Sequence, residues 1–233
     1  MRKSSLIGWV LFLSFFLIGS THAENNGMSL GDYHRFVYIK QSLELQSPLL
    51  LEHLIVLPTE HFNENEAERM ISRIDHLPSS LLEKLNNKNI KLKLFTGKLT
   101  DNPTAHYLEG IIPRGYKNET TWDDVPGIGG SKTVLAKIGY SEKGKGHSSI
   151  NLELHELAHS IDSILYNNIS STKQFHAIWN LEKAKLFPDQ DYFLTYAEEY
   201  FAESLAMYYL NNDSRNLLKE RAPSTYQLIK ELK

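Results

Sequence analysis

Ile150-Asn151-Leu152-Glu153-Leu154-His155-Glu156-Leu157-Ala158-His159-Ser160-Ile161-Asp162-Ser163-Ile164-Leu165 is the stretch on which the reading of this 233-residue chain turns. Its apolar residues are spaced for a buried helix, and His155 and His159 fall i, i+4 on one face of it. Two imidazoles one turn apart can bind a single Zn²⁺, each at about 2.0–2.1 Å. Glu156 lies at the neighbouring edge of that face, where it can take a proton from a metal-activated water without being a ligand. The competing reading is a helix that carries two surface histidines.

A catalytic zinc needs a third protein ligand and an open fourth position. The extended pattern with a third histidine just downstream is absent, because positions 162 and 165 are Asp and Leu. Tyr196-Ala197-Glu198-Glu199-Tyr200-Phe201-Ala202-Glu203 offers a second helix with Glu199 and Glu203 at i, i+4. Two carboxylates on an apolar face are costly to bury unless a cation compensates. The simplest assignment makes Glu199 the third ligand and Glu203 the acceptor that orients a ligating histidine. Glu198 is read as facing the cleft or solvent. Asp162, seven residues beyond His155, is the rival third ligand; its preferred reading is to orient a histidine through the second ring nitrogen.

Outward from these helices the chain mixes strands and helices before a helical second half. Leu51–Leu57 is a short run rich in branched residues and reads as a buried strand. Asn63–Leu85 has helical spacing interrupted by Pro78, so two helices are expected. Ile90–Phe95 alternates apolar and basic residues, as a strand with one wet face would. Tyr107–Ile112 and Thr133–Tyr140 read as further strands. Between them lies a segment loaded with Gly, Pro and Asp. Strands and helices first, helices last, is the pattern of an α+β domain.

Arg2 and Lys3 precede an apolar run from Leu6 to Gly19, and Thr21-His22-Ala23 follows with small residues at the cleavage positions. This is the pattern of a secretory signal peptide over residues 1–23, too short for a membrane span. The domain then occupies 24–233, with 24–45 as a polar leader. The chain has no cysteine, so disulfides and lipidation at an N-terminal Cys are excluded. A formal charge of −3, 41% hydrophobic and 23% charged residues are ordinary for a globular protein and give no reason to expect nucleic acid. A free, extracellular protein that works as a monomer is expected, with no membrane attachment once the signal is removed.

From Lys98-Leu99-Thr100-Asp101, through Thr121-Trp122-Asp123-Asp124-Val125-Pro126-Gly127, to Asn151-Leu152-Glu153-Leu154-His155-Glu156, the chain resembles the Pro-Pro endopeptidases. These are secreted bacterial zincins related to the catalytic domain of anthrax lethal factor. The similarity continues through Ala158-His159, Ile161-Asp162 and Glu198-Glu199 to Phe201-Ala202-Glu203-Ser204, essentially the whole mature chain. The resemblance implies a zincin-like fold and hydrolysis of Pro–Pro bonds in proline-rich bacterial surface proteins, with one Zn²⁺ per chain. It implies His155, His159 and Glu199 as zinc ligands, Glu156 as general base, and Tyr192 as hydrogen-bond donor to the oxyanion. Spacing alone does not separate Tyr192 from Tyr196. The resemblance also implies a mobile loop at Gly129-Gly130-Ser131 that closes over substrate, and Arg114 and Tyr116 near the substrate, with Arg114 able to pair with Glu198. Arg114 and Tyr116 replace the Lys and Trp frequent in the family, and the loop reads one residue longer; both changes bear on flanking preference. Other readings are a zinc peptidase of broader specificity and a zinc-stabilised module that binds proline-rich adhesins without cutting them.

Overall fold

The computed structural model describes residues 27–115 and 119–232. The signal peptide expected over residues 1–23 and Tyr116 lie outside these described residues. Met28–Ser29 (β1), Ile55–Leu57 (β2), Lys91–Phe95 (β3), Gly127–Ile128 (β4) and Thr133–Lys137 (β5) form one sheet in the order β1-β2-β3-β5-β4. β3 runs parallel to β2 and β5, with Leu92 opposite Val134, while β1 and β4 are antiparallel edges.

Side chains alternate across the sheet, as the strand period of two requires. Leu92, Leu94, Val134 and Ala136 face the main core, and Phe95 and Leu135 face a small satellite cluster with Leu99, Ala105 and Val125. The first half supplies the helices Phe36–Ser42 (α1), Pro48–Leu54 (α2), Glu64–Asp75 (α3) and Ser79–Asn87 (α4). The second supplies Leu152–Ser160 (α5), Lys173–Leu186 (α6), Asp191–Thr195 (α7), Ala197–Leu210 (α8), Asn212–Arg221 (α9) and Pro223–Glu231 (α10). This is the expected α+β class, and the break at Pro78 separates α3 from α4.

Helix starts are locally encoded. The Asn151 carboxamide accepts the Leu154 N–H at 3.0 Å and Thr172 accepts that of Phe175 at 3.2 Å, caps worth about 1 kcal/mol each. α8 is buried on nearly every side, as a helix apolar all round must be. It packs along α5, so the two helices that carry the candidate ligands form the centre of the core.

Several expectations change. Leu51–Leu54 is the end of α2, started by Pro48 at its first position, and the branched residues Ile55-Val56-Leu57 alone form the strand. Tyr107–Ile112 is a 3-10 turn followed by loop; Tyr107, Ile111 and Ile112 are exposed, and among the described residues the segment joins no strand of the sheet. β3 is not wet on its basic face: Lys93 is 5% exposed, and burial lowers its amine pKa. The stretch expected as a polar leader enters the fold from residue 27 onward, since β1 pairs with β2 and Leu30, Tyr33, Phe36 and Ile39 are buried.

Candidate active site

α5 and α8 lie against each other so that His155, His159 and Glu199 converge. His155 Nε2 is 3.2 Å from His159 Nε2 and 3.2 Å from Glu199 Oε2, and His159 Nε2 is 3.3 Å from that same oxygen. Three tetrahedral ligand atoms at about 2.0–2.1 Å from one ion would stand about 3.3 Å apart. The spacing therefore fits a four-coordinate metal ion, and these three side chains are a group that could hold one. The fourth direction opens into a cleft of about 1360 Å³ lined by Glu156, Tyr192, Arg114, Trp122 and Pro126, among others.

Glu203, one turn after Glu199, is 3% exposed. One oxygen is 3.1 Å from His155 Nδ1 and the other accepts the Ile150 N–H at 2.8 Å. It orients the imidazole so that Nε2 faces the site, and anchors the chain entering α5. Tyr192, on α7, donates its hydroxyl to Glu199 Oε1 at 2.9 Å. Arg114 Nη2 lies 2.6 Å from Glu198 Oε1 and 3.9 Å from Glu199 Oε1, so the expected Arg114–Glu198 pair is present.

This geometry can be set beside known proteins. The family model "Anthrax toxin lethal factor, N- and C-terminal domain" matches residues 42–232. A Pro-Pro endopeptidase of Clostridioides difficile (strain 630) is 46% identical over 183 residues, covering 78% of this chain and 82% of that protein. The chain belongs to the Pro-Pro endopeptidase family. A second Pro-Pro endopeptidase, from Paenibacillus alvei, is 40% identical over 188 residues, covering 80% of this chain and 86% of its own length. A solved structure of a Pro-Pro endopeptidase from that organism superposes with a TM-score of 0.75, covering 79% of this chain and all of the other. As a family member the chain is a zincin-like peptide-bond hydrolase of the metallopeptidase type.

The charges around the cleft follow from this arrangement. Burial works against a charged His155, yet the carboxylates of Glu199 and Glu203 outweigh it and raise its pKa. Burial likewise opposes charge on Glu199, and its contacts to His155 and His159 overcome that and lower its pKa. The cluster is thus built to hold positive charge, which a metal ion supplies. Glu156 is raised by burial, with the two imidazoles and the Gly129 N–H pulling it partly back. Burial and the neighbouring Glu199 push the Tyr192 hydroxyl up, which keeps it a proton donor.

One sequence expectation needs correction. Asp162 does not orient a histidine: its carboxylate accepts the Ser170 N–H at 2.9 Å and the Ser170 hydroxyl. Ser170 lies in the turn Ile169–Ser171, which follows the π turn Ile161–Leu165 at the end of α5 and folds back onto it. Ser131 follows the cleft-lining Gly129 and Gly130 and donates its hydroxyl to the Thr133 carbonyl at 2.8 Å. Sequence reading also missed the anchors of this loop. Ser160 accepts the Gly130 N–H at 3.0 Å and donates to the Ser131 carbonyl at 2.7 Å, while Ser163 donates to the Gly130 carbonyl at 2.9 Å. The available signal was a pair of serines on an otherwise apolar helix end. Also missed was Arg73, which reaches fully buried Glu153 at 2.8 Å and ties α3 to the first turn of α5.

Proposed function

We propose that this chain is a secreted zinc metalloendopeptidase that cuts between two prolines in proline-rich bacterial surface proteins. The observation that carries the reading is the meeting of two imidazoles, one carboxylate, Glu156 and Tyr192 in one cleft. Two histidines and a glutamate with one open position are a donor set of catalytic zinc in peptidases. The curated relatives at 46% and 40% identity both carry the name Pro-Pro endopeptidase, which supports the substrate class.

When bound, zinc supplies Lewis acidity toward water and the scissile carbonyl. Glu156, its pKa raised by burial, accepts the proton of the attacking water and delivers it to the departing proline nitrogen. Tyr192 turns its hydroxyl from Glu199 to the tetrahedral oxyanion, a donor worth about 3 kcal/mol. Proline has no N–H and its φ is fixed, so a Pro–Pro segment offers little backbone pairing and a rigid shape. Recognition then falls to the walls of the cleft: Arg114 with Glu198, and the backbone of Gly129 and Gly130. Secretion rests on the signal-like residues 1–23; no helix among the described residues is long and apolar enough to cross a membrane. All proposed ligands come from one chain, which supports a monomer.

The test is a quenched peptide library of the form Xaa-Xaa-Pro-Pro-Xaa-Xaa, incubated with the mature, zinc-loaded protein, with products identified by mass. Cleavage between the prolines is expected. Cutting of peptides that lack the pair would establish broader specificity, and no cutting by a zinc-loaded protein would overturn the enzymatic reading.

A further inference from the structure

Tyr192 sits on a five-residue helix, α7, so local helical structure alone holds it weakly. What fixes its ring comes from across the cleft. Gly115 has φ +86, a left-handed backbone that favours glycine. A Cβ built there would stand 3.0 Å from Tyr192 Cε2, 3.3 Å from Cδ2 and 4.0 Å from Tyr196 Cε2. The bare backbone of residue 115 therefore lies flat against the edge of the Tyr192 ring.

Neighbouring contacts hold that backbone in place. Arg114 stacks its guanidinium over the Tyr196 ring at 4.1 Å and pairs with Glu198. Tyr196 in turn meets Tyr192 edge to face, with ring centroids 5.3 Å apart. Tyr192 is thus held between the Tyr196 ring and the Gly115 backbone, with its hydroxyl on Glu199.

We infer that Gly115 is a positioning residue for the reaction: its missing side chain, latched by Arg114, sets the ring of Tyr192 at the angle from which its hydroxyl reaches the oxyanion. The inference rests on the role proposed for Tyr192. A displacement of about 1 Å in a catalytic group can cost on the order of a hundredfold in rate. A side chain at 115 must displace either the ring or the backbone by a few tenths of an ångström, so a smaller loss is expected.

The experiment compares Gly115→Ala with Gly139→Ala in the zinc-loaded enzyme. Gly139 has nearly the same φ, +85, and a Cβ there meets nothing within 4 Å, so it carries the backbone strain without the contact. Gly115→Ala should lower kcat by about tenfold or more with KM within about twofold and zinc content unchanged, and Gly139→Ala should leave kcat alone. In a Tyr192→Phe background, adding Gly115→Ala should cost less than about twofold, because the group it misplaces is gone. A 3-fluorotyrosine at 192 should shift its ¹⁹F resonance in Gly115→Ala and not in Gly139→Ala. If Gly115→Ala does not fold, Gly115→Asn, which accepts left-handed backbone more readily, carries the same comparisons. Equal losses with and without the Tyr192 hydroxyl, or an unmoved resonance, would overturn the inference. Full activity of Tyr192→Phe alone would instead overturn the role of Tyr192 on which it rests.

Discussion

On one face of the sheet, Leu92, Leu94, Val134 and Ala136 meet a core that continues through α5 and α8 to Ile229 in α10. On the other face, Phe95 and Leu135 meet Leu99, Ala105 and Val125, with Leu108, Trp122 and Ile128 at the margin. The first region bears His155, Glu156, His159 and Glu199 on buried helices. The second builds the cleft wall from short 3-10 turns, with polar bonds in place of apolar mass. Asp123 accepts from the Thr100 hydroxyl at 2.8 Å, the Gly110 N–H at 2.9 Å and the Thr121 hydroxyl at 2.8 Å. Chemistry that needs fixed distances stands on the rigid side, and the wall that meets the variable part of a substrate stands on the adaptable side.

Truncating each region should separate them. Phe201→Ala, at a fully buried position of α8, should cost about 3–5 kcal/mol and lower Tm by about 10 °C. Zinc affinity should fall with it, because Glu199 and Glu203 flank that position. Leu99→Ala on the satellite cluster should cost about 2–3 kcal/mol with zinc affinity intact and KM raised. Equal loss of zinc in both variants would erase the distinction between the two faces. Thermal melts with metal analysis decide it.

Gly129→Ala probes the seam between the regions. A Cβ there would fall 1.9 Å from the Glu156 carbonyl oxygen, so the loop must lift off α5. Overpacking of this kind costs about 1–3 kcal/mol. Turnover should fall with stability, measurable by kinetics and melting of one preparation.

The smallest effect concerns pH on the adaptable face. The Gly110 N–H and the Thr100 and Thr121 hydroxyls hold the Asp123 carboxyl at about 2, below its ordinary 3.8. A depressed carboxylate pKa contributes stability that is present above the unfolded value and is lost as pH falls through the folded one. The Tm gap between the native protein and Asp123→Asn should therefore be constant above about pH 4 and close toward pH 2. A gap that does not change with pH would show that the carboxylate charge is irrelevant there.

The same contrast explains what could be read from sequence. The candidate ligands were legible because i, i+4 spacing is local: His155 with His159, and Glu199 with Glu203, share faces whatever the rest of the chain does. Glu203 beneath His155 followed from the cost of a buried carboxylate. Asp162 was misread because its partner Ser170 lies in the turn beyond α5, where a helix period says nothing. Leu51–Leu57 failed because a short apolar run does not distinguish helix end from strand. The wall was least legible: the partners of Asp123 lie up to 23 residues away, and the contact of Gly115 with Tyr192 joins segments far apart in sequence.

The most direct measurement is zinc content and turnover of Glu156→Ala beside the native protein on a Pro-Pro peptide. The account predicts one zinc per chain in both, a folded variant, and turnover lower by about 10⁴-fold. A variant that still cuts between the prolines at the native rate, or a native protein that cuts them without metal, would contradict it.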